Sequence, residues 1–163
     1  MNTIIVRPAT IADLDTLNLF QQAIVAAERT FDPTIKGGLV QYYDAGRMLA
    51  SEQVQFVVAE SGSKIIGCGF ARIEKAKHYL VHAHHGYLGM MYVDPTYRGQ
   101  SVNKRIIYAL KEWCLSKNVR ELRLEVYHDN DPAVKAYERA GFRPLMIEMR
   151  LNLSEEECQE KAL

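Results

Sequence analysis

The sequence predicts an α/β protein with a mixed, mostly antiparallel central sheet and flanking helices, in the order β-α-α-β-β-β-α-β-α-β. Short β-branched or alternating segments bounded by Pro, Gly and Asp mark the strands, and apolar residues at helical spacing with caps mark the helices. Three strands in a row before the central helix, two of them joined by a hairpin-length turn, favour antiparallel neighbours. With 163 residues, 48% hydrophobic and 25% charged, the chain has the size and composition of one compact unit with its own core.

Ile4 to Arg7 is a β-branched strand ended by Pro8, and Thr10-Ile-Ala-Asp13 has capping-box spacing ahead of an amphipathic run with Leu14, Leu17 and Ile24. The Phe31-Asp-Pro33 break and Gly37-Gly38 make a loop, and Leu39 to Ala50 reads as a second helix of weaker pattern. Gln55 to Glu60 and Lys64 to Glu74 flank Ser61-Gly62-Ser63, a hairpin turn. A polar stretch from Lys75 to His85 leads to the strand Tyr87 to Val93, which stops at Asp94-Pro95. From Val102 to Lys117, the residues Val102, Ile106, Leu110, Trp113 and Cys114 share one helical face. Arg120 to Tyr127 alternates, with Leu122, Leu124 and Val126 on one side and Arg123, Glu125 and Tyr127 on the other. Asp131-Pro132 opens a helix to Ala140 that Gly141 ends, and Phe142 to Leu151 is expected to be the last strand. Residues 1–153 therefore form one domain, with 154–163 an acidic tail.

Twenty basic and twenty acidic residues give zero formal charge, which disfavours a generally basic nucleic-acid or membrane binder. The sum hides a distribution. Asp94 to Leu153 holds eleven bases and eight acids, and the tail from Ser154 one base and four acids. Cys68, Cys114 and Cys158 are odd in number and lack paired spacing, as expected in the reducing cytoplasm. Neither an export signal nor an apolar run of membrane-spanning length is visible.

The stretch Tyr97-Arg98-Gly99-Gln100-Ser101-Val102-Asn103-Lys104-Arg105 carries the chemistry. It lies between a strand and the clearest helix, and its cations stand at a helix N-terminus, which already carries partial positive charge and unpaired N–H groups. A phosphate docked there would satisfy both backbone and cations. A tight turn at Gly99, with Ser101 as N-cap and solvated cations, is the alternative.

Val93-Asp-Pro95-x-Tyr97-Arg98-Gly99, followed by Asn130-x-x-Ala133-x-x-x-Tyr137-Glu138-Arg139-Ala140-Gly141-Phe142, resembles the GCN5-related N-acetyltransferase (GNAT) family. The likeness runs from about Ile4 to Leu151, and its two motifs are specific in combination. It implies an acetyl-CoA cleft between two splayed strands, Tyr87 to Val93 and Arg120 to Tyr127. In the family an (Arg/Gln)-x-x-Gly-x-(Gly/Ala) loop wraps the pyrophosphate, matched here by Arg98, Gly99, Gln100, Ser101, Val102 and Asn103. Ser101 stands where the family has glycine and Asn103 where it has Gly or Ala. Ser101 is expected to take negative φ with its hydroxyl free to donate, and Asn103 to add bulk and a donor, weakening or shifting cofactor binding without abolishing it.

By the same resemblance, Met91, Tyr92 and Val93 offer main-chain groups to the pantetheine arm and an N–H to the thioester carbonyl, and Asn130 contacts the arm. Tyr137 matches the tyrosine that protonates the leaving thiolate, although a packed helix aromatic would read alike. Glu125 matches the proton-accepting glutamate of the ribosomal-protein alanine N-acetyltransferases, with a surface ion-paired carboxylate as its alternative. The strand at Tyr87 to Val93 holds no carboxylate, so water relayed to His128 or Glu125 is the second route. His78, His82, His84 and His85 are expected to form a polar loop near the acceptor groove, with no metal expected. Cys68 and Cys114 are expected to be core thiols. The resemblance thus implies acetyl-CoA as cosubstrate and direct transfer to a primary amine, with a homodimer as a common family arrangement. A non-catalytic acyl-CoA-binding regulator is the competing reading, motivated by Ser101, Asn103 and the missing strand carboxylate.

Overall fold

A computed structural model of the chain describes residues 3–154. The expected acidic tail beyond Ser154, with Cys158, lies outside the described residues. The strands are β1 (Ile4–Pro8), β2 (Val54–Ser61), β3 (Lys64–Lys75), β4 (His84–Val93) and β5 (Leu122–Arg123), and the helices α1 (Leu14–Glu28), α2 (Ala45–Leu49), α3 (Val102–Ser116) and α4 (Asp131–Arg139). The sheet runs β1-β2-β3-β4-β5, antiparallel through its first three pairs and parallel at β4–β5. The expected mixed, mostly antiparallel sheet with flanking helices is therefore the fold.

Strand alternation divides the core between the two faces of the sheet. Val57, Ala59, Ile66, Ala71 and Leu88 meet Val102, Ile106, Ile107, Leu110 and Cys114 of α3. On the other face Phe56, Val58, Cys68, Phe70 and Met90 meet Leu17 of α1 and Ala45 of α2. Phe70 is fully buried beneath the Tyr43 and Phe56 rings, and such a side chain contributes about 1.5–3 kcal/mol of apolar burial. Entry into α1 is fixed by Asp13. Its carboxylate accepts from the Thr10 backbone N–H at 2.7 Å and takes both amino nitrogens of Arg7 at 2.8 and 2.9 Å.

Three expected elements differ. The second helix shrinks from Leu39–Ala50 to Ala45–Leu49, starting where Asp44 accepts a hydrogen bond from the Arg47 N–H at 3.0 Å. The strand expected over Arg120–Tyr127 forms a ladder only at Leu122–Arg123, paired as Gly86↔Leu122 and Tyr87↔Arg123. No strand forms over Phe142–Leu151, which correctly shows a strand's composition but has no neighbour in the sheet. A strand exists only as half of a ladder, and the ladder at this edge ends with Arg123.

Candidate functional site

The local irregularity of the sheet lies in β4. The register passes from Cys68↔Tyr92 to Phe70↔Gly89, so Met90 and Met91 together oppose Gly69. That is a β-bulge, and Met90 takes φ 51° within it. The Met90 carbonyl accepts the Cys68 thiol at 3.4 Å. Burial raises the Cys68 and Cys114 thiols, and both are free and buried as expected of core cysteines. Beyond Tyr87, β4 has no partner on its β5 side among the described residues, so the two strands part along Leu88 to Val93. Met91 and Val93 pack toward the α3 core, and Tyr92 stacks on Phe20 of α1 with ring centroids 4.3 Å apart. With these side chains engaged in packing, the groups β4 leaves for a ligand in the opening are those of its backbone.

At its end β4 turns through Asp94, whose carboxylate accepts from Lys64 Nζ at 2.7 Å and from Thr96 N and Oγ1 at 3.0 and 2.7 Å. The lysine foremost, then Thr96, holds the Asp94 carboxyl down at about 2. A short turn of helix, Pro95–Tyr97, then leads into two left-handed residues, Gly99 at φ 77° and Ser101 at φ 61°. The negative φ expected at Ser101 is not what forms. The serine takes the conformation a glycine would take, and it makes no side-chain cap. Two left-handed residues in quick succession lead into α3, whose first-turn N–H groups have no partner within the helix, a combination suited to an anion. Arg98 and Lys104 are exposed there and have no ion-pair partner among the described residues. Arg105, grouped with them in the sequence, instead donates to the Ile4 carbonyl of β1 at 3.1 Å. Arg98, Gly99, Gln100, Ser101, Val102 and Asn103 thus form one continuous turn at the head of α3.

Tyr137 on α4 is half-buried against the α3 core, its ring edge-on to Phe142 at 6.0 Å. Burial, aided by the negative charge of Glu28, pushes its hydroxyl up to about 12. Asn130 accepts from the Ala133 N–H at 3.4 Å and so caps α4, which leaves its amide donors for another partner. Glu125 is exposed just past β5, and the Tyr87 hydroxyl donates toward it at 3.5 Å. His128 is exposed in the following turn.

A second wall of the cleft was not legible as a unit. Glu28, the last residue of α1, is held above the usual carboxylate range by burial, an effect the Tyr42 hydroxyl partly offsets by donating to it. Its charge also acts on Tyr43, Tyr127 and Tyr137. The loop after α1 is tied down by side-chain amides. Buried Gln21 accepts from Tyr43 N at 2.7 Å and donates to Tyr43 O at 3.2 Å, while Gln22 bonds Val40 O at 2.8 Å. Arg29 holds the carbonyls of Lys36 and Gly38. Tyr43 thereby lies over β4, where a Cβ on Gly89 would stand 3.1 Å from its hydroxyl. Phe31 stacks on Tyr127 at 5.8 Å. The structure thus brings Glu28, Tyr42, Tyr43, Tyr87, Glu125 and Tyr137 to the β4–β5 opening.

The histidines lie elsewhere. His82 and His84 line a surface groove with Lys117, Asn118 and Arg120 at the far end of α3, apart from the acceptor wall. His82 Nε2 lies 3.5 Å from Arg123, and His85 Nε2 lies 3.5 Å from Glu74. Among the described residues no three His, Cys, Asp or Glu side chains are grouped to hold a metal, and no helix is long and apolar enough to cross a membrane.

The sequence pattern of the acetyltransferase (GNAT) family matches residues 22–142, a span that contains α3, α4 and both cleft strands. The chain belongs to this family. It is similar to the N-alpha-acetyltransferase RimI of Mycobacterium tuberculosis, with 30% identity over 105 residues, 64% of this chain and 61% of that protein. It also resembles the pig thialysine N-epsilon-acetyltransferase, with 41% identity over 59 residues, 36% of this chain and 35% of that one. The chain spans 61% and 35% of the length of these two curated relatives. A predicted acetyltransferase of Clostridium acetobutylicum, solved with acetyl-CoA, shares the fold at TM-score 0.68 and 20% identity over 94% of this chain and 98% of that one.

Proposed function

We propose that residues 1–153 form an acetyl-CoA-dependent N-acetyltransferase that passes the acetyl group directly to a primary amine. The observation that carries this reading is the left-handed turn at Gly99 and Ser101, which leads from the end of β4 into the N-terminus of α3 and carries the exposed cations Arg98 and Lys104. These groups suit a pyrophosphate. The backbone of Met91, Tyr92 and Val93 binds the pantetheine arm, the Asn130 amide donates to it, and the β4 bulge presents a main-chain N–H to the thioester oxygen.

The amine lone pair attacks the thioester carbon and a C–N bond forms. As the C–S bond breaks, Tyr137 gives its proton to the leaving sulfur and regains one from solvent. With its hydroxyl held at about 12, Tyr137 keeps that proton throughout the neutral range. The ammonium proton of the incoming amine goes to Glu125, directly or through water, with His128 as the second possible acceptor on the same loop. Glu28 and the hydroxyls of Tyr42, Tyr43 and Tyr87 form an acidic, hydroxyl-rich wall that suits a cationic acceptor, either a small-molecule amine or a protein N-terminus. Relatives named for N-alpha and thialysine acceptors support both classes. Its cysteines, odd in number and without paired spacing, support a reducing, cytoplasmic setting.

CoA release over a panel of amines and N-terminal peptides tests the reading. Turnover that depends on Tyr137 supports it. Tight acetyl-CoA binding with no turnover on any acceptor would instead make the chain the non-catalytic acyl-CoA-binding regulator.

A further inference from the structure

Cys68 is a buried thiol that does more than pack. It stands on β3 opposite Tyr92, next to the Gly69 that Met90 and Met91 together oppose, and is fully shielded from solvent. Its Sγ–H donates to the Met90 carbonyl at 3.4 Å, and the Tyr92 N–H reaches the same sulfur. One side chain therefore holds main-chain groups on both sides of Met91.

Two features of the bulge give this contact weight. Met90 takes φ 51°, in the left-handed region that residues other than glycine avoid, so the conformation needs support from its surroundings. Its carbonyl belongs to a residue only 4% exposed, where water cannot replace a lost partner. Burial pushes the Cys68 thiol far up, so it stays protonated and remains a donor throughout the neutral range. The following residue is anchored on the opposite face. Met91 packs toward the α3 core, its sulfur lying where a Cβ on Gly69 would stand 2.6 Å away. A trans peptide unit is planar and rigid, with its carbonyl and N–H pointing in opposite directions. A thiol fixed on the Met90 oxygen thus fixes the direction of the Met91 N–H.

We propose that Cys68 is a positioning residue for acetyl transfer, its thiol holding the Met90–Met91 peptide unit at the angle at which the Met91 N–H meets the developing thioester oxyanion. This rests on the acetyl-transfer reading and adds to it a residue that touches neither acetyl-CoA nor acceptor. An oxyanion donor acts only when aimed at the place where charge develops. Removing the thiol leaves the donor present and spoils its aim.

Three variants test this. Cys114 on α3 is an equally buried thiol, so Cys114→Ala removes the same core volume without touching the bulge. Cys68→Ala is expected to lower kcat by about 10- to 100-fold, less than the loss of a whole oxyanion donor, with the acetyl-CoA KM within about 3-fold of wild type. Cys68→Ser keeps a donor at the same Cβ and is expected to recover most of that loss, and Cys114→Ala to keep the wild-type kcat. The Met91 amide resonance and its hydrogen exchange are read without any turnover, and both are expected to move in Cys68→Ala, return toward wild type in Cys68→Ser and stay put in Cys114→Ala. Should Cys68→Ala fail to fold, Cys68→Val fills the site without a donor and takes its place with the same expected losses. Full kcat in the donor-free variant, an equal loss in Cys114→Ala, no recovery in Cys68→Ser or an unmoved Met91 amide would each overturn the proposal. A wild-type chain without turnover on any amine would instead overturn the acetyl-transfer reading, and the Met91 amide tells the two failures apart.

Discussion

Ser101 is the most informative position for substitution, because the structure separates what its backbone does from what its hydroxyl does. Its φ of 61° and ψ of 19° are left-handed, which costs an L-residue roughly 1–2 kcal/mol. Glycine removes that cost and gives back roughly 0.4–1 kcal/mol through its larger unfolded-state entropy. Ser101→Gly should therefore stabilise the protein by about 0.5–1 kcal/mol, or ~1–4 °C in Tm for a chain of this length. Ser101→Ala keeps the Cβ and the strain and removes only a hydroxyl that caps nothing, so its Tm should match wild type. Calorimetry on the three proteins gives the order, and the acetyl-CoA KM gives a second readout. The glycine variant should lower that KM, because phosphate can approach the bare backbone more closely, whereas the alanine variant should leave it unchanged or raise it. If alanine stabilises as much as glycine does, or glycine lowers Tm, the left-handed turn is not a strained one and the reasoning fails.

Tyr137→Phe preserves the packing on Phe142 and removes the proton, so kcat should fall by about 10²–10⁴-fold with acetyl-CoA affinity nearly unchanged. Because the hydroxyl is raised to about 12, the wild-type kcat should show no alkaline fall below pH ~10, which a pH profile checks. Glu125→Gln should lower kcat with the acetyl-CoA KM little changed, which steady-state kinetics checks. Glu28→Gln should instead raise the acceptor KM by roughly 10- to 150-fold, the worth of a hydrogen bond to a charged group. Asp13 is held at about 2, chiefly by the Arg7 hydrogen bonds. Its folded-state value is depressed, so the stability it contributes is full above pH ~4 and is lost as pH falls toward 2. Arg7→Ala should therefore lower the denaturant midpoint at pH 7, and that deficit should shrink on acidification through this window.

The parts of the fold that sequence revealed are those whose signals are local. α3 declared itself through Val102, Ile106, Leu110 and Cys114 on one face, α4 through Pro132 and Gly141 at its ends, and the β2–β3 hairpin through Gly62. The parts it hid depend on partners distant in the chain. Whether Leu124 to Tyr127 and Phe142 to Leu151 become strands is decided by what lies beside them, not by their alternation. The bulge at Met90 has no compositional mark, since methionine is not a residue that favours φ of 51°. Likewise the loop from Arg29 to Asp44 is shaped by Gln21, Gln22 and Arg29 bonding main-chain groups up to 22 residues away, and amide-to-backbone bonds leave no periodicity to read.

The same distinction explains why one end of the cleft was legible as a motif, whereas residues of the other end, such as Glu125 and Tyr137, were legible only singly. The first is a contiguous run, Arg98 to Lys104, whose two cations sit at a helix N-terminus where an anion makes them favourable. The second is assembled from Glu28, Tyr42, Tyr43, Tyr87, Glu125 and Tyr137, drawn from five separate stretches of chain and meaningful only once the loop bonds have closed. What results is a neutral protein with a polarised cleft. Arg98 and Lys104 face one end, and Glu28, Asp32 and Glu125 border the other. Such polarity fits a reaction whose two substrates carry opposite charge, because each is drawn to one end and repelled from the other. The acceptor end must do more than attract, since an ammonium ion has no lone pair to attack with. A carboxylate raised by burial, as Glu28 is, keeps its own proton more tightly than an exposed one, and a cation bound beside it favours its ionised form. The more exposed Glu125 is open to water and better placed to carry the proton away. In the proposed mechanism attraction and deprotonation fall to different carboxylates, so their substitution should separate KM from kcat.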